Sequence, residues 1–152
     1  VLCLAAAAFA RNDSTTANTY ARYIKQRWRR LMETYWVYKY RPAFVFYTSL
    51  FVKYGAMTIG PVILIKPKDR TAEVAEGLLR HELVHVKQFY DTWGLNGIRY
   101  LFSKNWRFKY ELAAYREQLK YVPDAAEIFA WYLSTRYGLK VTIEEALALL
   151  RA

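Results

Sequence analysis

Apolar and polar positions alternate along this chain in stretches of different period. Tyr23, Ile24, Trp28, Leu31 and Tyr35 recur at helical spacing, with Lys25, Arg27, Arg29 and Arg30 between them. That pattern predicts a basic-faced helix from about Tyr20 to Tyr38, capped by Asn18 or Thr19 and stopped by Pro42. The run AFVFYTSLFVKYGAMTIGPVILIKP is rich in β-branched and aromatic residues and predicts strands near 43–52 and 56–66. Pro61 inside the second run argues for an edge strand or a bulge. Helical spacing returns from about Thr71 to Tyr90, with Thr71 as N-cap and Glu73 in the first turn, and Asp91-Thr92-Trp93-Gly94 closes it.

Residues 95–103 read as a short helix or an irregular loop. A strong helix follows from about Asn105 to Tyr121. Pro123 opens another through about Tyr137, which Gly138 ends. Thr142, with Glu144 and Glu145, opens a last helix to Leu150. Helix, two strands, then several helices is an α+β order, a small sheet of two or more strands packed on helices.

Composition narrows the chemistry. A length of 152 residues favours one domain, and 55% hydrophobic with 24% charged residues is a globular balance. The single cysteine, Cys3, excludes an internal disulfide and a Cys-rich zinc finger. Net charge is +10; residues 1–60 hold nine Lys/Arg against Asp13 and Glu33. A basic, aromatic first third suits an anionic partner: an acidic protein face, lipid head groups or nucleic acid. The opening VLCLAAAAFA is too short to span a bilayer, which takes about 20 residues. It resembles the apolar part of a secretory signal ending in Ala8-Phe9-Ala10, or else an Ala-rich arm packed on the body or a partner. Three regions result: an arm at 1–19, a basic aromatic helix and first strand at 20–55, and a core at 56–152.

The only two histidines lie four residues apart, in His81-Glu82-Leu83-Val84-His85. On a helix, positions i and i+4 share a face, so both imidazoles can reach one zinc ion at roughly 2.0–2.1 Å. Glu82, one position along, can take a proton from water that the ion has acidified to a pKa near 7, and later pass it to a leaving amine. Leu78, Leu79, Leu83, Val84 and Val86 predict a buried helix, where two histidines and a glutamate need partners. With no third histidine, the third ligand must be a carboxylate: Asp91, Glu111, Glu117, Asp124 or Glu127. Glu111 is favoured, because it sits on the next strong helix beside Ala113 and Ala114, where two helices can approach closely.

His81, Glu82 and His85 followed by Glu111 resemble the catalytic core of the gluzincin metallopeptidases. The likeness is to the minimal gluzincins and to short zinc-peptidase-like domains with H-E-x-x-H-x-x-Q, Gln88 supplying the last position. It covers about residues 56–121. It implies a zincin-like fold, a bound zinc ion, hydrolysis of peptide bonds in the manner of an endopeptidase, and a cleft-lining strand at 56–66 that pairs with extended substrate. Two features depart from thermolysin-like members. The gap from His85 to Glu111 is longer, which predicts that residues 91–105 lie over or beside the cleft. Tyr115 stands where an Asp that orients a zinc-bound His is common. The oxyanion-stabilising group is left among Tyr90, Arg99, Tyr100 and Tyr110.

The leading expectation is therefore a zinc metallopeptidase acting on a peptide or protein. The rival is a structural or assembly component, of a phage particle or contractile injection system for example, with a peptidase-like core and a plugged cleft. Residues 20–41 would then dock an assembly partner or a membrane surface. A nucleic-acid-binding module is disfavoured by the intact motif. The signal-like opening is compatible with a secreted or periplasmic protein, and the rival reading with a particle-associated one.

Overall fold

The computed structural model describes residues 32–48, 52, 55–67, 71–137 and 141–152. Four strands form one sheet: β1 (Met32–Tyr38), β2 (Arg41–Tyr47), β3 (Ala56–Ile59) and β4 (Val62–Ile65). Five α-helices follow among the described residues: α1 (Ala72–Asp91), α2 (Leu95–Phe102), α3 (Lys104–Leu119), α4 (Ala126–Arg136) and α5 (Ile143–Arg151). A 3-10 turn at Pro123–Ala125 leads into α4. The sheet order is β1-β2-β4-β3, with β2 and β4 parallel and the other pairs antiparallel.

Two expectations are corrected. The basic helix does not extend to Tyr38, since residues 32–38 are strand β1; its residues 20–31 and the arm at 1–19 lie outside the described residues. Tyr35 continues the helical spacing by coincidence. From Met32 onward exposed and half-buried residues alternate strictly, and the segment is rich in aromatic and β-branched side chains. That period of two, closed by the Lys39-Tyr40 turn onto β2, decides for strand. The second correction concerns residues 56–66, which form a hairpin of β3 and β4 and not a single strand. Gly60-Pro61 is its turn, with Gly60 at φ +59. The Pro61 carbonyl then accepts the Phe44 N–H at 2.8 Å. β4 is thereby an inner strand, and β3 an outer one.

Helix α1 is the middle layer. Thr71 caps it, accepting the Val74 N–H. One side packs Leu79 and Val86 on Ala43, Val45, Ile63 and Ile65 of the sheet. The other side meets α3. A second core joins α3, α4 and α5 through Phe108, Tyr115, Phe129, Leu133, Ala146 and Leu150. The α1–α3 seam is tight because of Gly77: a Cβ there would stand 3.3 Å from Gln118 Cγ and Tyr121 Cβ. Of the two alanines beside Glu111, Ala114 is buried in the seam and Ala113 faces out.

Of the two readings for residues 95–103, the short helix is the one adopted, as α2. The last helix carries a full capping box, Thr142 Oγ1 accepting the Glu145 N–H and Glu145 accepting the Thr142 N–H.

Candidate metal centre

His81 and His85 stand one turn apart on the α1 face toward α3, and Glu111 answers from α3. Their donor atoms make a small triangle. His81 Nε2 and His85 Nε2 are 3.2 Å apart. Glu111 Oε2 is 3.5 Å from His81 Nε2, and Oε1 is 3.7 Å from His85 Nε2. At about 2.0–2.1 Å per bond, two ligands of a tetrahedral ion stand roughly 3.3–3.4 Å apart. The triangle therefore has the size that a bound ion requires. Among the described residues this cluster can hold a metal ion, and its donor set of two imidazoles and a carboxylate suits several divalent transition metals.

The surrounding bonds support the same geometry. Gln88 donates its amide N–H to the Tyr110 carbonyl at 3.0 Å, which leaves its oxygen facing His85 Nδ1 at 2.9 Å. With the amide so placed, the neutral ring carries its proton on Nδ1 and turns the Nε2 lone pair to the triangle. Tyr100, from α2, donates its hydroxyl to Glu111 Oε1 at 2.7 Å. Burial by itself would raise the Glu111 pKa, but the hydrogen bonds from His81 and Tyr100, and the charge the two rings carry when protonated, outweigh it and hold the carboxyl down at about 2. Glu111 is thus an anion beside two imidazoles, the form a cation needs. Burial pushes the Tyr100 phenol well above its ordinary range, with the Glu111 charge adding to the effect, so it stays a donor.

His81 lacks a matching brace. Its Nδ1 is buried with no hydrogen-bond partner. Tyr115 meets the His81 ring edge-on, centroids 4.7 Å apart, and points its hydroxyl at Tyr137 at 3.4 Å. Burial pushes the Tyr115 phenol up to about 12. Tyr115 thus steadies the ring by packing, not by the hydrogen bond an Asp would make there.

Glu82 is buried on the sheet side of the cleft. Thr58, on β3, donates its hydroxyl to Glu82 Oε2 at 2.5 Å. No motif marks Thr58 in the sequence; the sole signal is that its strand was expected to line the cleft. The cleft has a volume of about 900 Å3, walled by β3, α1, α2, α3 and the end of α4. Asn96, Gly97, Tyr100 and Leu101 of α2 border it, so the 91–105 segment forms a side wall, not a plug, among the described residues.

The remaining candidates are dispersed. Arg99, weighed for the oxyanion, is exposed on α2 with its guanidinium 4.8 Å from the Trp106 ring centre, and does not border the cleft. The Tyr90 hydroxyl is spent on the Pro42 carbonyl at 2.8 Å, tying α1 to β2. The Tyr110 hydroxyl is buried without a partner in the cleft wall. Asp91 binds Lys87 and Tyr38 at the surface, Glu117 binds Lys120, and Asp124 and Glu127 are exposed far along the chain. Arg136, whose guanidinium lies 4.0 Å from the Tyr132 ring centre, lines the cleft and was not anticipated. Comparisons with protein-family profiles, with characterised proteins and with solved structures returned no significant match.

Proposed function

We propose that this chain is a zinc-dependent metallopeptidase of gluzincin type, hydrolysing peptide bonds in the cleft between β3 and α1. The observation that carries the reading is the His81–His85–Glu111 triangle with a buried carboxylate, Glu82, beside it on the cleft wall. Zinc held by those three side chains would supply Lewis acidity and lower the pKa of water in the cleft. Glu82 would take a proton from a water in the cleft as the water oxygen bonds to the peptide carbonyl carbon, and would pass it to the amine nitrogen as the C–N bond breaks. Thr58 holds Oε2 of Glu82, which leaves Oε1 for the proton. Gln88 keeps His85 in the Nδ1–H tautomer, and Tyr100 keeps Glu111 turned toward the imidazoles. The outer edge of β3 pairs with no strand among the described residues, so its backbone can align an extended peptide by strand addition.

The test combines metal analysis with peptide cleavage. Wild type is expected to bind one zinc per chain, His85→Ala to lose it, and Glu82→Gln to keep it while cleavage falls about 100-fold or more. A wild type that holds zinc yet cuts nothing across a broad peptide library would replace this reading with the assembly component. That second reading draws on the large aromatic side chains at the β1 edge and its turn, Trp36 at 66% exposed and Tyr40 at 78%.

A further inference from the structure

Helix α2 and the turn before it carry an apolar surface that the fold leaves open. Trp93 is 87% exposed, Phe102 85%, Leu101 69%, Ile98 57% and Leu95 50%. No residue of α2 is buried. Leu95, Ile98 and Phe102 stand at i, i+3 and i+7, one face of a helix. Single exposed apolar residues need no explanation, but five within residues 93–102 make a patch.

The charge around the patch has one sign. Residues 92–110 contain no Asp or Glu and carry Arg99, Lys104, Arg107 and Lys109. Arg99 stands on the same helix face as Leu95, Ile98 and Phe102, and its guanidinium and the Lys109 ammonium lie 4.8 Å and 5.0 Å from the Trp106 ring centre. Arg107 instead turns inward and donates to the Tyr100 and Leu101 carbonyls at 2.9 Å and 3.2 Å. The patch is thereby held in shape without being covered. Asp91, the nearest preceding acid, is already bound by Lys87 and Tyr38.

We propose that Trp93 and α2 form an interfacial anchor that lies on an anionic lipid surface. Trp, Phe, Leu and Ile enter the boundary between head groups and acyl chains, while the flanking Arg and Lys meet lipid phosphates. Leu95, Ile98 and Leu101 offer no ring for a nucleobase to stack on, which argues against a single-stranded nucleic acid. At eight residues α2 is far short of the about 20 a span needs, and no described helix is long and apolar enough to cross a membrane. The anchor stands on the exposed patch and its charge, and does not depend on catalysis.

Co-sedimentation of the full chain tests it, using vesicles of phosphatidylcholine alone and of phosphatidylcholine with one third (~33%) phosphatidylglycerol. Binding to the anionic vesicles is expected, weak on the neutral ones and weakened by salt. The double variant Ile98→Ser with Phe102→Ser, at two exposed positions, is expected to lose at least about tenfold in partitioning while keeping its melting temperature. Arg99→Gln with Lys104→Gln is expected to lose the preference for anionic vesicles. Brominated acyl chains are expected to quench wild-type tryptophan fluorescence, and to quench Trp93→Phe less. No binding to anionic vesicles overturns the proposal. So does undiminished binding by Ile98→Ser with Phe102→Ser, which would place the contact elsewhere on the chain. Self-association without vesicles, abolished by the same pair of substitutions, would assign the patch to a second copy of the chain.

Discussion

Thr58 shows how much of a site depends on one hydroxyl. Its bond to a carboxylate is charge-assisted, a class of about 1.5–3 kcal/mol. Thr58→Val keeps the shape and deletes the donor. Cleavage is expected to fall roughly 10–100-fold with zinc content unchanged, measured as kcat beside metal analysis. A loss of zinc instead would give Thr58 a structural part only. Trp93 is the converse case. It occupies the left-handed position of a Schellman turn, φ +53, where glycine is usual; Gly94 donates to the Phe89 carbonyl at 2.9 Å and Trp93 to that of Tyr90. The indole is 87% exposed, with the Arg41 guanidinium 5.7 Å from its ring centre, so Trp93→Gly is expected to stabilise the fold by up to about 1 kcal/mol in urea titration, less what that contact contributes. His81, Glu82 and His85 were legible because their geometry is set by a single helical turn. Thr58 was not, since its partner lies 24 residues away across a strand-helix contact that no local pattern encodes.

Among the elements, α1 was the most legible and β1 the least. The α1 signals agree: an N-cap, apolar positions at helical spacing, and a left-handed stop. At β1 two periodicities overlap on Tyr35, so the helical spacing of the residues before Met32 runs on into a strand. The β3–β4 hairpin was read as one strand because its turn is only two residues and both flanks are apolar. Glu111 does meet the two histidines, but Gly77 supplies the close approach that the alanines were expected to share. Gly77→Leu tests that seam. Overpacking there is expected to cost about 1–3 kcal/mol. It would also push α3 outward, so zinc affinity is expected to fall by more than the stability loss explains, read by competition with a chromogenic chelator.

At the scale of the molecule, the sheet core and the α3–α5 core are separate clusters that meet along the α1–α3 seam, where the three donor side chains converge. An ion held there would tie the two cores together. At free zinc about 100 times its dissociation constant, linkage gives about 2.7 kcal/mol, a shift of roughly 5–10 °C for a chain of this size. Chelation is expected to lower the wild-type melting temperature by that amount and to leave His85→Ala unmoved. The α+β order of the chain was legible from the succession of periods. The approach of the two cores was not, because it depends on side-chain volumes at positions far apart in sequence.

The donors are divided unequally, two on one helix and the third 26 residues beyond His85 on another. A nicked or partly melted molecule retains only the helical pair, which offers an ion two donors in place of three. On the metallopeptidase proposal, hydrolysis would then vanish at the first parting of the helices, well before the chain lost its remaining order.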